Sequence, residues 1–273
     1  MRRYWGQQKP PLGVPANKGH ILCPSSGLWL MNEGTGNIVQ DLSGNGNVGT
    51  LAGGPVWEGG KFGSAIKFDG SDDVLDFPTI TSIPAGPVSF VGWVKVTSTA
   101  WNSCTQWSFG VTNGLQWRYE KDYTQSAGGP TTHQVKIYVN WGVVILLSDG
   151  NCQHDVWEHI VITRDSANLW TMYINAVAQA DTETKAGAIT TTEAQYGQSF
   201  VNSAFGVSEA DNLSIYWGHC LSPSEIQQLY REPFCGYRWE SVIELASYVA
   251  AAGGSSVAKI MQQMNQFNGG QAA

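Results

Sequence analysis

The chain has 273 residues, 14% of them charged and 11% aromatic, with 12 tryptophans and a formal net charge of −7. That length holds one large sandwich with extensions, or two small domains. An acidic chain with no basic stripe excludes nucleic acid as the main partner, and no apolar run reaches the roughly 18 residues of a membrane span, so no membrane insertion is expected.

Pro10, Pro11 and Pro15 favour extended backbone over residues 1–22. This stretch lacks the apolar centre of a secretory signal. It reads either as a disordered leader or as an N-terminal arm that orders against a neighbouring subunit, with Tyr4 and Trp5 as assembly anchors.

From Gly27 to Gly70 lie twelve glycines in 44 residues. A short strand, Leu28 to Met31, is followed by Gly/Asn turns and a second strand closing on Phe68-Asp69-Gly70, the mark of a tightly turned β-protein. Over Val88–Val96, alternation puts Val88, Phe90, Gly92, Val94 and Val96 on one face and Val91 and Trp93 on the other. A strand apolar on both sides belongs mid-sandwich. Further strands are predicted at Gln106–Val111, Leu115–Tyr119, Gln134–Asn140, Val143–Leu147, Val156–Arg164, Asn168–Ile174 and Phe205–Trp217. Their spacing with intervening turns is that of an all-β sandwich. The Thr/Ala/Gly-rich stretch Gln179–Ser203 reads as surface loops. Ser222, Pro223 and Glu225 start a short helix with a capping box, and Ile226, Leu229 and Tyr230 form its inner face. From Ser241 two helix-favouring segments flank Gly253-Gly254. Val257, Ile260, Met261, Met264 and Phe267 form an apolar stripe there, which packs on the sandwich or docks on another subunit. The five cysteines read as mostly reduced and buried. If any pair bridges, it is Cys104 with Cys152, both in polar contexts.

Three linked motifs resemble the opening of the laminin-G-like, concanavalin A-type jelly rolls: N-E-G-x-G from Asn32, D-x-S-G-N-G-N-x-G from Asp41, and G-x-F-G-x-A-x-x-F-D-G from Gly60. The W-x-H-I-x-x-T-x-D hairpin from Trp157, and D-N-L-S-I-Y running into L-S-x-x-E-I-x-x-L-Y, are similar to the same family. The resemblance implies an all-β, two-sheet antiparallel jelly-roll sandwich over residues 23–238. An extended N-terminal arm (1–22) and a C-terminal helical tail (239–273) flank it.

Glycosidases of this fold use E-x-D-x-E or E-x-D-x-x-E on one strand. Glu209-Ala210-Asp211 lacks the third carboxylate, so no catalytic residue is assigned. Nucleophile, phosphate-loop and dinucleotide signatures are absent, and His159 reads as a structural histidine. The turn Asp41–Asn47 offers Asp41, Asn45 and Asn47 to a hard cation. The resemblance implies that Asp211 of the closing strand joins them around a structural calcium ion. Asp69, Asp72 and Asp73 form a second acidic turn, and either turn is equally explained by local Asx hydrogen bonds. Trp101, Trp107, Trp117 and Tyr119 cluster with amide side chains as candidate sugar-stacking residues. Together with the ends, L-Y-R-E-P-F after the last helix resembles laminin-G-like virion proteins of tailed bacteriophages. That resemblance implies a non-enzymatic virion structural protein, a capsid decoration or a fibre or tail component. It would be made in the host cytoplasm, would pair with other virion subunits or itself, and would bind glycans. A carbohydrate-binding module or a glycoside hydrolase are the alternatives.

Overall fold

The computed structural model describes residues 7–237 apart from 13, 15, 81, 98–102, 110–114, 122–132, 140–142, 150–151, 188, 191–193 and 198–206. In chain order the strands begin with β1 (Gly27–Trp29), β2 (Ile38–Val39), β3 (Gly49–Ala52), β4 (Val56–Gly59), β5 (Ser64–Asp69) and β6 (Val74–Phe77). Next come β7 (Ser82–Ile83), β8 (Val88–Val96), β9 (Ser103–Phe109), β10 (Leu115–Lys121), β11 (His133–Val139) and β12 (Val143–Leu147). The described residues continue with β13 (Glu158–Arg164), β14 (Leu169–Ile174), β15 (Val177–Thr184), β16 (Ile189–Thr190), β17 (Ala194–Tyr196), β18 (Val207–Trp217) and a helix, α1 (Pro223–Arg231).

Two antiparallel sheets stack face to face. The first has the order β15-β14-β13-β8-β18-β5-β4, with β1 also on β18; the second runs β12-β11-β10-β9-β17-β6-β3-β2. Strands β7 and β16 make a separate ribbon. The inner face of the second sheet is a continuous apolar row in which Leu51, Leu75, Tyr196, Trp107, Trp117 and Ile137 stand opposite one another strand by strand. Trp29 of β1 meets this row, 4.4 Å from Phe77 and 5.9 Å from Trp107 between ring centroids. Facing them, β8 contributes Val88, Phe90, Val94 and Val96, while Val91 joins a different cluster on the outside. The expected division of that strand is therefore observed. Gly92 fits because a Cβ there would lie 2.7 Å from Leu213 Cδ2.

The outer face of the first sheet is also dry. Val91, Val161 and Tyr216 are covered by Leu22, Leu221, Ile226, Leu229 and Cys235. Val14, Leu28, Leu30, Phe234 and Tyr237 extend this second layer. The described part of the segment from Gln7 to Leu22 is thus packed on the sandwich, which corrects the reading of an arm free to reach a neighbour for these residues, while residues 1–6 lie outside the described ones. Asn17 N–H donates to Gly236 O at 3.0 Å, and the buried Tyr216 hydroxyl donates to Leu22 O at 3.1 Å.

Two further expectations change. The stretch read as loops from Gln179 carries most of β15 and all of β16 and β17, and Tyr196 is fully buried in the core. Its few apolar residues hid it, because β15 is largely exposed and the other two strands are only two and three residues long. Cys152 is a free, buried thiol near Ser148 rather than half of a disulfide. The assembly residues Tyr4, Trp5, Ile260, Met261, Met264 and Phe267, and the whole tail 239–273, lie outside the described residues.

Candidate functional site

Opposed residues of an antiparallel pair share a face. One position along from the apolar row, the register therefore builds a polar row on the outside of the second sheet: Thr50, Asp76, Gln195, Ser108, Gln116 and Tyr138. Gln195 Nε2 donates to Asp76 Oδ1 at 2.6 Å, and Gln116 Nε2 donates to Ser108 Oγ at 3.4 Å. Arg118, two residues along β10 from Gln116, donates to Gln116 Oε1, and its guanidinium lies 4.9 Å from the centroid of the Tyr138 ring. Ser108, Gln116 and Arg118 are at least nine-tenths buried, while Thr50, Asp76, Gln195 and Tyr138 are partly exposed.

The chemistry follows from that order. Amide, hydroxyl, carboxylate and guanidinium groups alternate as donors and acceptors. They stand on strands, whose backbone ladders hold side chains more firmly than loops do. A polyhydroxylated ligand is recognised by such a set, with an aromatic face alongside. Among the described side chains of the row, Asp76 is the one carboxylate, whereas glycoside hydrolysis generally needs two.

The predicted sugar-stacking tryptophans are elsewhere. Trp107 and Trp117 are each 1% exposed, in the centre of the core. This is a correction with a simple cause: on β9 and β10 both occupy inward positions of the alternation. Trp101 and the side chain of Tyr119 lie outside the described residues. The polar row had a faint sequence signal, since Gln116 and Arg118 alternate with Leu115 and Trp117. Which strands would place Asp76 and Gln195 beside them had none.

The donors named for calcium are already committed. Asp41 Oδ1 accepts from the N–H groups of Leu28 and Ser43, and its Oδ2 accepts from Asn47 N–H at 2.9 Å. The Asn45 and Asn47 amides donate to the carbonyls of Ser25 and Ser26, both at 2.7 Å. Asn47 Oδ1 accepts from the Thr79 hydroxyl. This turn is a knot of local hydrogen bonds that also presents Asn47 O to the Trp29 indole N–H at 2.7 Å. Asp211 is fully buried and faces the Lys9 ammonium at 2.6 Å. The set does not fit a calcium ion. In the second acidic turn, Asp69, Asp72 and Asp73 bring carboxylate oxygens within 4.8 Å of one another. Two of these accept from the N–H groups of Ser71 and Asp69.

The other acid of the closing strand, Glu209, pairs with Lys95 at 2.5 Å. Burial raises the Glu209 carboxyl above its ordinary value, against the pull of Lys95. Burial likewise raises Asp211, opposed by Lys9 and by the N–H groups of Phe62 and Lys61. His159 packs tilted against the stacked pair Trp93 and Tyr230, at 5.0 and 5.8 Å between centroids, and burial pushes its imidazole down to about 3. It stays neutral and structural at ordinary pH.

Residues 69–227 match the family model of the concanavalin A-like lectin/glucanases superfamily, of laminin G type. No curated protein matches the chain in sequence. Among solved structures, domain 4 of an extracellular GH43 arabinanase from Geobacillus stearothermophilus, in complex with arabinotriose, is similar at TM-score 0.52 and 19% identity, over 75% of this chain and 97% of that one. Trypanosoma rangeli sialidase in complex with the inhibitor DANA is similar at TM-score 0.55 and 13% identity, over 75% of this chain but 32% of the sialidase. The binding domain of botulinum neurotoxin serotype G is similar at TM-score 0.52 and 14% identity, over 75% of this chain and 50% of that one. At these identities the likeness is one of fold.

Proposed function

The chain belongs to the concanavalin A-like lectin/glucanases superfamily, and on that premise we propose that it is a non-catalytic glycan-binding module that serves as a structural component of a virion surface. The observation that carries the binding reading is the hydrogen-bonded polar row from Asp76 to Arg118 on one broad sheet face, in which Asp76, Gln195 and Tyr138 stay partly exposed and the buried Ser108, Gln116 and Arg118 support them. The arabinotriose complex of the similar arabinanase domain supports the same ligand class. The non-catalytic reading is supported at Glu209 and Asp211, each held by a lysine rather than by its fellow acid. The virion role is supported by the resemblance of L-Y-R-E-P-F after the last helix, taken together with the two chain ends, to laminin-G-like proteins of tailed phages, and it includes partners from the same particle or further copies of this chain.

A glycan array followed by calorimetry tests the binding. Saturable binding is expected, with at least a tenfold loss in Asp76→Ala and Gln195→Ala while thermal stability is retained. Binding that ignores both substitutions, or no binding at all, overturns the reading. Release of reducing sugar that disappears in Glu209→Gln would make the protein a hydrolase instead. For the virion role, the protein should appear among the components of purified particles by mass spectrometry, and its absence there would refute that part.

A further inference from the structure

The surroundings of Lys9 are those of a bound cation. Its ammonium lies 2.6 Å from Asp211 Oδ1 and donates to the main-chain carbonyls of Met31, at 3.1 Å, and Ser64. All three of its N–H groups therefore find oxygens. A carboxylate and carbonyls converging from separate segments are also the donors a hard metal cation takes. Glu33 adds negative charge nearby.

The backbone is bent to build this cage. Met31 stands at φ 55°, a left-handed conformation that side chains rarely adopt. Asn212 stands at φ 50° within the irregularity between Asp211 and Ser214 in the ladder with β8. A Cβ on Gly60 would come within 2.8 Å of Asp211 Oδ2, so a glycine lets the loop close over the carboxylate. Phe62 N–H donates to that same oxygen at 3.1 Å. The occupant comes from the near end of the N-terminal segment, whose far end is packed by Val14 and Leu22, while around Lys9 itself the chain is fastened by isolated bonds. Asn32 Nδ2 donates to Pro10 O at 3.0 Å, and Gln7 Nε2 donates to Arg231 O at 3.3 Å.

We propose that Lys9 is this fold's own cation: its ammonium fills an oxygen cage that would otherwise take a hard metal ion, and in doing so latches the segment from Gln7 to Leu22 onto the first sheet. Docking of the segment and metal binding are then mutually exclusive at Asp211. A cage without its ammonium leaves a buried, uncompensated carboxylate, which is strongly destabilising.

Full-length Lys9→Ala and Lys9→Met test this by thermal melting in EDTA and in millimolar calcium chloride. Wild type should melt at the same temperature in both. Lys9→Ala should lose roughly 10 °C in EDTA and recover most of it in calcium. Lys9→Met should be destabilised without recovery, because its side chain fills the cage. Acetylation of the native wild-type protein should spare Lys9 while the exposed Lys18 reacts. A wild type that melts higher in calcium, a Lys9→Ala indifferent to calcium or as stable as wild type, or a Lys9 acetylated as fast as Lys18 would each overturn the proposal. Should both variants fail to fold, the acetylation result decides.

Discussion

Single residues in this molecule are governed by what burial does to them. His159 is the clearest case, with an imidazole forced down to about 3 from an unfolded value near 6.5. Between those values the unfolded chain binds a proton that the folded one refuses, so stability rises with pH through this window and is lost as pH falls through it. The loss contributed by this one group reaches on the order of 4 kcal/mol near pH 3. Urea unfolding at pH 7 and pH 4 should show that slope, and His159→Gln should flatten it. An unchanged slope would assign the acid sensitivity to other groups. Trp107 illustrates burial of an apolar kind. Stacked at 5.4 Å on Phe77 and 5.3 Å on Phe109, it is a keystone of the core, and Trp107→Ala should cost roughly 3–5 kcal/mol in chemical unfolding. A variant that kept its stability but lost glycan binding would restore the stacking role.

Among the elements, α1 was the most completely written in the sequence. Ser222 accepts from Glu225 N–H, the Glu225 carboxylate returns to Ser222 N–H at 2.7 Å, and Pro223 opens the first turn. Burial alone would raise the Glu225 carboxyl, but Ser222 and His219 hold it below its usual value. The cap is therefore present above the ordinary carboxylate range and fades as pH falls through the lowered value. Ser222→Ala should cost about 1 kcal/mol, readable as a lowered melting temperature at neutral pH. The helix matters because Ile226 and Leu229 roof the outer cluster over Val91 and Val161. Strand β8 was legible for the reason that made it central, being apolar on both faces, whereas β16 and β17 were not, because so few residues carry no period.

At the scale of the whole molecule, the sandwich has two apolar layers: one between the sheets, and one between the first sheet and a cover of N-terminal segment, α1 and the turn after it. The cover is integral. Deleting residues 1–22 removes Val14 and Leu22, each worth about 1.5–3 kcal/mol of burial, together with the Lys9 ammonium. Such a truncation should melt well below the full chain and expose surface that binds a hydrophobic dye. A truncated protein as stable as the full one would return this segment to the role of a free arm.

The sequence alone determined the class of fold, because turn chemistry, strand alternation and helix capping are local and repeat the same message over most of the chain. It also located the carboxylates Asp41 and Asp211. Only the tertiary structure decided what faces them: backbone N–H groups around the first and an ammonium some two hundred residues away in the chain around the second. The polar row is of the same kind, since Asp76, Gln195 and Gln116 become neighbours only through strand order and register. Alternation says that a side chain points in or out, but which strand lies beside it is a long-range pairing that no local pattern encodes.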